Sequence, residues 1–525
     1  MIDQNERKSN GIYLTPPELA QFVATCGIHQ ADQTVLDPCF GEGALLSAAY
    51  SRLRTLGCVQ PSQQLYGYEI EPSTVDHVVD LIGQDNVVIR DFLDVSPPDE
   101  RLDTVIMNPP FVRHHAIPRD RIDRMRNGTA GASTLPRTSD LWAYFLVHAA
   151  RFLRQEGSLV AILPWSLLRA DYAKSVREFL MGRFRTIRVV VIGQMLFDGA
   201  EERVTVLIAE GFGSRASTIC LGYSFGVPGS EIQWRAVSDD LWLESPWKAM
   251  VPSEVHDVFS FLVERLAFVP LKDVATIRIG VVTGDNGFFI LEGEQSRTLG
   301  LPDSLLKPIV TSSRCLASLI LRQDGVDDFL LCIPDSLDIP QTVSDYVCSG
   351  EKAGVHLKYH PKRRPKWYCI NQCTAPDGFL PYMTKEVPYI VSNPDGLLST
   401  NTVHGVDFND TIDDSTKRRI QLSMLTSISQ LSIELASRTY GGGVLKIEPS
   451  SAAGIFVSAE VGRSAPAHLE REIGALVSAG RRLDAVTRMD DWLTTSSRVT
   501  RAQMDLIRDC YDKMRRLRLS NRVEA

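Results

Sequence analysis

From about residue 34 to residue 210, short β-rich apolar runs alternate with amphipathic helical stretches. That rhythm admits few solutions, because strands separated by helices pair mostly in parallel, giving a mostly parallel sheet whose faces the helices cover. The strand candidates are 34–36, 64–68, 86–89, 104–107, 158–163, 187–192 and 204–209. Seven strands fit one doubly wound α/β domain.

A chain of 525 residues exceeds what one hydrophobic core organises, so a second domain is expected. Gly, Pro and Ser gather around Phe225-Gly226-Val227-Pro228-Gly229-Ser230, which places the end of the first domain at 230 and a linker over 231–265. A less regular mixture of strands and helices over 266–465 reads as a mixed α/β domain. Over 466–525, Leu469, Ile473, Leu476 and Leu483 repeat at helical spacing and the end is basic, which predicts a helical C-terminal tail. No run of about 18 uncharged apolar residues exists, and Met1–Lys8 is too polar for a signal peptide, so we expect a cytoplasmic protein without a membrane partner. Ten scattered cysteines suit free thiols.

The chemistry-bearing residues sit where the strands end. Strand 34–36 runs into Asp37-Pro38-Cys39-Phe40-Gly41-Glu42-Gly43, a turn whose glycines admit close backbone approach by a ligand. The second strand ends at Glu69-Ile70, where Rossmann-like folds grip ribose hydroxyls, and the third at Asp91-Phe92, where a carboxylate can accept from an adenine amino group. Any one of these acids alone is more often a solvated strand end or a helix cap. The fourth strand ends in Asn108-Pro109-Pro110-Phe111, whose prolines fix φ so that a side-chain amide and a backbone carbonyl face one point. Two acceptors gripping the protons of a ring-conjugated amino group would position a poor nucleophile, with Phe111 stacked on the ring.

Taken together, these motifs resemble the gamma-type adenine-N6 DNA methyltransferases of restriction-modification systems, over nearly the whole chain. Their order is also the family's: cofactor motif, Asn-Pro-Pro-aromatic about 65 residues later, then a large C-terminal region. The resemblance implies a Rossmann-like class I methyltransferase domain, a target-recognition domain and S-adenosylmethionine as cofactor. Gly11–Glu18 is similar to the family's first motif, which implies that Thr15 and Pro16 line the methionine end. It further implies that Asp37, with the Pro38, Gly41 and Gly43 turn, holds that same end, Glu69 the ribose, Ile70 one adenine face, and Asp91 with Phe92 the adenine edge. Asp140–Phe145 and Leu163–Ser166 are similar to the family's later motifs. Phe197 falls where the family stacks a second aromatic on an extruded base, a core phenylalanine being the alternative.

The partner implied is duplex DNA. A net charge of -8 argues mildly the other way. Six arginines from Arg113 to Arg137 nevertheless face only Asp120 and Asp123, and six Lys/Arg lie between Glu351 and Ile370. Arg113 and its neighbours would meet phosphates beside a flipped nucleotide, and Arg363, Arg364 and Trp367 interleave cations with an aromatic as a nucleic-acid contact does. His356, His360, Cys369 and Cys373 have spacings open to zinc, but the chemistry needs no metal and we expect none.

Two rivals remain at this stage. Asn-Pro-Pro-aromatic also suits RNA bases or a protein glutamine amide, whereas cytosine-N4 enzymes usually carry Ser where Asn108 stands. Alternatively the chain is a modification or recognition subunit of a larger defence assembly, with a restriction endonuclease on another polypeptide, because only a short leader precedes Gly11.

Overall fold

The computed structural model describes residues 14–519 except 73–74, 129–131, 194–203, 225, 230–231, 336–338, 371–373, 441–442, 464 and 498. The chain divides into two compact units, one ending at Pro252 and the other running from Ser253 to Leu519.

The first unit is built on a nine-stranded sheet of β1 (Val35–Asp37), β2 (Leu65–Glu69), β3 (Val87–Ile89), β4 (Leu102–Met107), β5 (Leu153–Pro164), β6 (Phe184–Ile192), β7 (Val204–Phe212), β8 (Thr218–Ser224) and β9 (Arg235–Ala236). Their spatial order is β3-β2-β1-β4-β5-β7-β6-β8-β9. β1 pairs in parallel with β2 on one side and β4 on the other. The chain therefore reverses its direction of progress across the sheet at β1 and β4, and the crevice beyond their carboxyl ends is where sheets of this type bind ligands. β7 enters antiparallel between β5 and β6. The central strands are continuous apolar runs, such as Val160 and Ile162 in β5 and Val206 and Ile208 in β7, because helices cover both faces and no face is left for polar residues.

All seven expected strands are present. The two additional ones have a physical cause: Ile219 and Leu221 are buried along β8, which extends the sheet by pairing in parallel with β6, and β9 pairs back onto β8. The expected junction at 230 thus falls inside this unit. Glycine and proline there turn the chain between two paired strands instead of leading out of the domain. Residues after 231 still contribute to this unit's core through Val237, Trp242, Trp247 and Met250, with Trp242 fully buried and its indole N–H donating to the Arg177 carbonyl at 3.2 Å. The stretch 253–265 is a helix of the second unit.

In the second unit, strand Val403–Phe408 lies between Ala275–Ile279 and Gly378–Pro381, antiparallel to both. A separate sheet sets Asp328–Leu331 between Ile290–Glu292 and Leu306–Val310. Among the described residues three helices follow residue 466, as the spacing predicts: Ala467–Ser478, Arg482–Ser496 and Arg501–Leu519. The last is no loose appendage, since Arg518 forms a buried pair with Glu434 at 2.8 Å, side chains 1% and 2% exposed. Among the described residues, no helix is long and apolar enough to cross a membrane.

Candidate active site

Four neighbouring strands present the expected residues at one edge of the sheet: Asp37 ends β1, Glu69 ends β2, Asp91 follows β3 and Asn108 follows β4. Positions far apart in sequence meet because parallel strands place all their carboxyl ends on the same side.

Asp37 is 1% exposed, and its Oδ1 accepts from the Cys39 N–H at 3.1 Å while Oδ2 is buried with no hydrogen-bond partner among the described residues. Burial, reinforced by the nearby Glu69 charge, pushes its carboxyl up to about 8. A buried acceptor without a donor costs free energy and persists where a ligand supplies the donor. Pro38 is buried behind the turn. Gly41 and Gly43 have φ of +54° and +82°. At Gly43 a Cβ would come within 2.6 Å of Val78, so the turn closes only over glycine, and nothing lies within 4 Å of the Cβ position at Gly41.

The Glu69 carboxylate is fixed by three backbone donors: Gly41 to Oε2 at 2.8 Å, and Ile70 and Glu71 to Oε1 at 2.8 and 3.0 Å. Beside it Ile70 is 61% exposed, an apolar surface at the rim of the crevice. Asp91 accepts from the Leu93 N–H at 3.1 Å through Oδ1 and from Arg121 Nη2 at 2.7 Å through Oδ2. Phe92 departs from expectation. Its ring packs among Tyr68, His148 and Phe152 with centroids 4.8–5.4 Å away, so its side chain belongs to the core.

The Asn108 amide donates from Nδ2 to the Thr15 hydroxyl at 3.0 Å, and its carbonyl accepts from the Cys39 thiol at 3.4 Å. Pro109 is buried, Pro110 half-buried, and Phe111 lies half-buried against the apolar core. Pro16 caps the helix Pro17–Gly27, its carbonyl accepting from the Ala20 N–H at 3.0 Å, which holds Thr15 at the crevice.

The loop after Phe111 is braced by the Asp140–Phe145 motif together with Tyr172, which the sequence did not single out. Asp140 Oδ1 accepts from the His114 N–H at 2.8 Å and Oδ2 from the Tyr172 hydroxyl at 2.8 Å, while Leu141 N–H donates to the Val112 carbonyl at 2.9 Å. The Trp142 indole in turn donates to Tyr172 at 3.0 Å, and burial pushes the Tyr172 hydroxyl well above its usual 10. The Asp140–Phe145 motif contained half of this brace. Tyr172 carries no local signal, since it meets Asp140 only through the fold.

The basic segment is partly self-neutralised. Arg113 is exposed, but Arg137 pairs with Asp123 at 2.9 Å, Arg121 with Asp91, and Arg126 donates to the Leu135 and Ser133 carbonyls.

In the second unit, Arg363 stays at the surface, its guanidinium 4.1 Å above the Tyr359 ring, which is 64% exposed. Arg364 and Trp367 face inward instead. Arg364 donates to the Val282 and Thr283 carbonyls, both at 2.8 Å, and Trp367 packs on Phe288 at 5.1 Å and donates to Glu351 at 3.2 Å. Half-buried aromatics beside a cation read alike in sequence whether they face a ligand or a core. Phe197 and Cys373 lie outside the described residues.

Two family models match the chain: N-6 DNA Methylase over residues 1–211, and the C-terminal domain of the Type II methyltransferase M.Eco57I over 244–494. Type II methyltransferase M.AccI of Acinetobacter calcoaceticus is 21% identical, covering 86% of this chain and 85% of the relative. Type II methyltransferase M.XamI of Xanthomonas campestris pv. amaranthicola is 23% identical over 84% of each. Among solved structures, the type IIL restriction-modification enzyme MmeI in complex with DNA superposes with a TM-score of 0.52 at 13% identity, over 97% of this chain and 75% of that one. The type IIG restriction endonuclease BpuSI does so with a TM-score of 0.50 at 15% identity, over 97% of this chain and 66% of the longer enzyme. Residues 1–211 match the N-6 DNA Methylase family and residues 244–494 the C-terminal domain of a Type II methyltransferase, and together with the Type II relatives they identify the chain as a gamma-type DNA methyltransferase of restriction-modification systems.

Proposed function

We propose that the protein transfers a methyl group from S-adenosylmethionine to N6 of adenine in duplex DNA, with the target base flipped out of the helix. The observation that carries this reading is the row of Asp37, Glu69, Asp91 and Asn108 at the carboxyl ends of adjacent strands, with a partnerless carboxylate oxygen buried at Asp37.

The residues fit the cofactor. Asp37, on giving up its proton, accepts from the ammonium of the methionine end, and the open Gly41 turn admits that end closely. Glu69, fixed by three amides, accepts from ribose hydroxyls, Ile70 covers one adenine face, and Asp91 accepts from the adenine amino group. The cofactor supplies an electrophilic methyl group. The chain's own part is positioning: the Asn108 side-chain oxygen and the Pro109 carbonyl accept the two protons of the base's amino group, and Phe111 stacks on its ring. Because Nδ2 of Asn108 is engaged by Thr15, the amide is oriented before the base arrives.

Exposed cations from Arg113 onward take phosphates, and the second unit reads sequence, with Arg363 and Tyr359 at its surface. Structural relatives include a type IIG restriction endonuclease and a type IIL restriction-modification enzyme, which favours a restriction endonuclease or another defence-system subunit as partner. The decisive experiment incubates the protein with genomic DNA and labelled S-adenosylmethionine and maps the modified bases by sequencing. N6-methyladenine at one recurring sequence is expected; label on cytosine, on RNA or on protein alone overturns the proposal.

A further inference from the structure

We propose that Arg121 is a positioning residue for the cofactor site: it fixes Asp91 as the acceptor for the cofactor's adenine amino group and so couples cofactor binding to the segment that follows the catalytic loop. The inference rests on the reading of Asp91 given above.

Arg121 lies in the helix Arg119–Gly128, which begins eight residues after Phe111. The helix is pinned by buried Ile122 and Met125, so the register that buries them also aims Arg121. Its Nη2 stands 2.7 Å from Asp91 Oδ2, with side chains 32% and 20% exposed. Two other ion pairs of the segment, Arg124 with Asp120 at 3.7 Å and Arg137 with Asp123 at 2.9 Å, are internal to it and mostly solvated, the regime in which such pairs contribute little. Arg121 alone among these three reaches across to the end of a sheet strand. With Leu93 N–H on Oδ1 and Arg121 on Oδ2, both oxygens of Asp91 are fixed. A carboxylate has about four acceptor positions, so an amino group can be accepted in addition. The carboxylate plane is therefore set before the ligand arrives, which lowers the ordering cost of binding. Because Arg121 belongs to the same segment as Arg113, a duplex that holds this segment in place also holds Asp91, and the coupling must act equally in both directions.

The test is a double-mutant cycle on the full chain, with S-adenosylmethionine as titrant in calorimetry and thermal melts to verify folding. Arg121→Ala is expected to weaken cofactor affinity about tenfold, within the span typical of coupled sites. Asp91→Asn should weaken it by a similar factor, and the double variant no further, because both changes remove one interaction. Arg121→Lys should recover part of the loss, and in turnover assays the cofactor KM of Arg121→Ala should rise more than kcat falls. A duplex carrying the mapped methylation site should tighten cofactor binding to the wild type more than to Arg121→Ala. Normal affinity in Arg121→Ala alongside weakened Asp91→Asn, or losses that simply add, overturns the role of Arg121 alone. Equal tightening by the duplex in both proteins removes the coupling. Normal affinity in Asp91→Asn overturns the reading of Asp91 as the adenine contact and, with it, this inference.

Discussion

The Asn108 side chain donates to the Thr15 hydroxyl at 3.0 Å across 93 residues of sequence, joining the catalytic motif to the segment that precedes the first helix. The amide of the candidate catalytic residue is thereby oriented by a residue expected at the cofactor, so the two proposed subsites share a hydrogen bond.

Asn108→Ala is expected to retain cofactor binding and lose at least a hundredfold in turnover, since removing one preorganised transition-state contact costs about 2.7–4 kcal/mol. Single-turnover methylation with calorimetry of cofactor binding checks both halves; near-normal turnover would discard the catalytic assignment.

Asp37 makes binding and stability pH-dependent. Its carboxyl is raised from the usual 3.8 to about 8, so between these values the folded protein holds a proton that the unfolded chain has released. The stabilisation is complete below about pH 4 and is lost as pH rises through 8. Asp37→Asn should flatten this contribution in melts of the ligand-free protein. A cationic ligand group beside Asp37 favours the carboxylate, so cofactor binding should release a proton and tighten as pH rises towards 8. Calorimetry in buffers of contrasting ionisation enthalpy reads this directly, and a buffer-independent heat would contradict it.

Tyr172→Phe deletes the hydroxyl that holds Asp140 behind the catalytic loop. A lost hydrogen bond to a charged group costs about 1.5–3 kcal/mol, shared here between stability and loop position. We expect a lowered melting temperature, kcat reduced about tenfold and cofactor affinity within a factor of about two, because a tenfold rate loss needs only about 1.4 kcal/mol. Equal losses in cofactor affinity and kcat would assign Tyr172 to the cofactor pocket instead.

Arg363 and Trp367 separate function from folding in the second unit. Arg363→Ala should weaken DNA binding with little change in stability, whereas Trp367→Ala should destabilise that unit by about 3 kcal/mol through lost packing on Phe288 and Phe289. Denaturant unfolding beside DNA titration checks the contrast, and the reverse pattern would return Trp367 to the DNA surface.

A fragment ending at Pro252 should bind S-adenosylmethionine and hold DNA in a salt-sensitive, sequence-blind manner. One ending at 230 should be less stable, as it lacks β9 and the buried Trp242. Site-specific methylation by the longer fragment would place recognition in the first unit.

The seven core strands and the acids at Asp37, Glu69 and Asp91 were legible in the sequence, as was the Asn108 turn. Apolar runs alternating with helical stretches have one economical solution, and a parallel sheet then collects the residues at its strand ends without further information. What tertiary structure decided are the contacts without local period. The Asp140–Tyr172 brace and the Arg121–Asp91 pair join side chains about thirty residues apart whose meeting depends on how helices pack over the sheet. The same holds for burial. Phe92, Arg364 and Trp367 read as ligand contacts because polar and aromatic neighbours look alike on a surface and around a core, and only the packed chain decides which way each ring or guanidinium faces. The extension by β8 and β9 was hidden for a related reason. Glycine and proline mark a turn, but whether a turn leads out of a domain or back into its sheet depends on an open strand edge, a property of the assembled sheet and not of the turn.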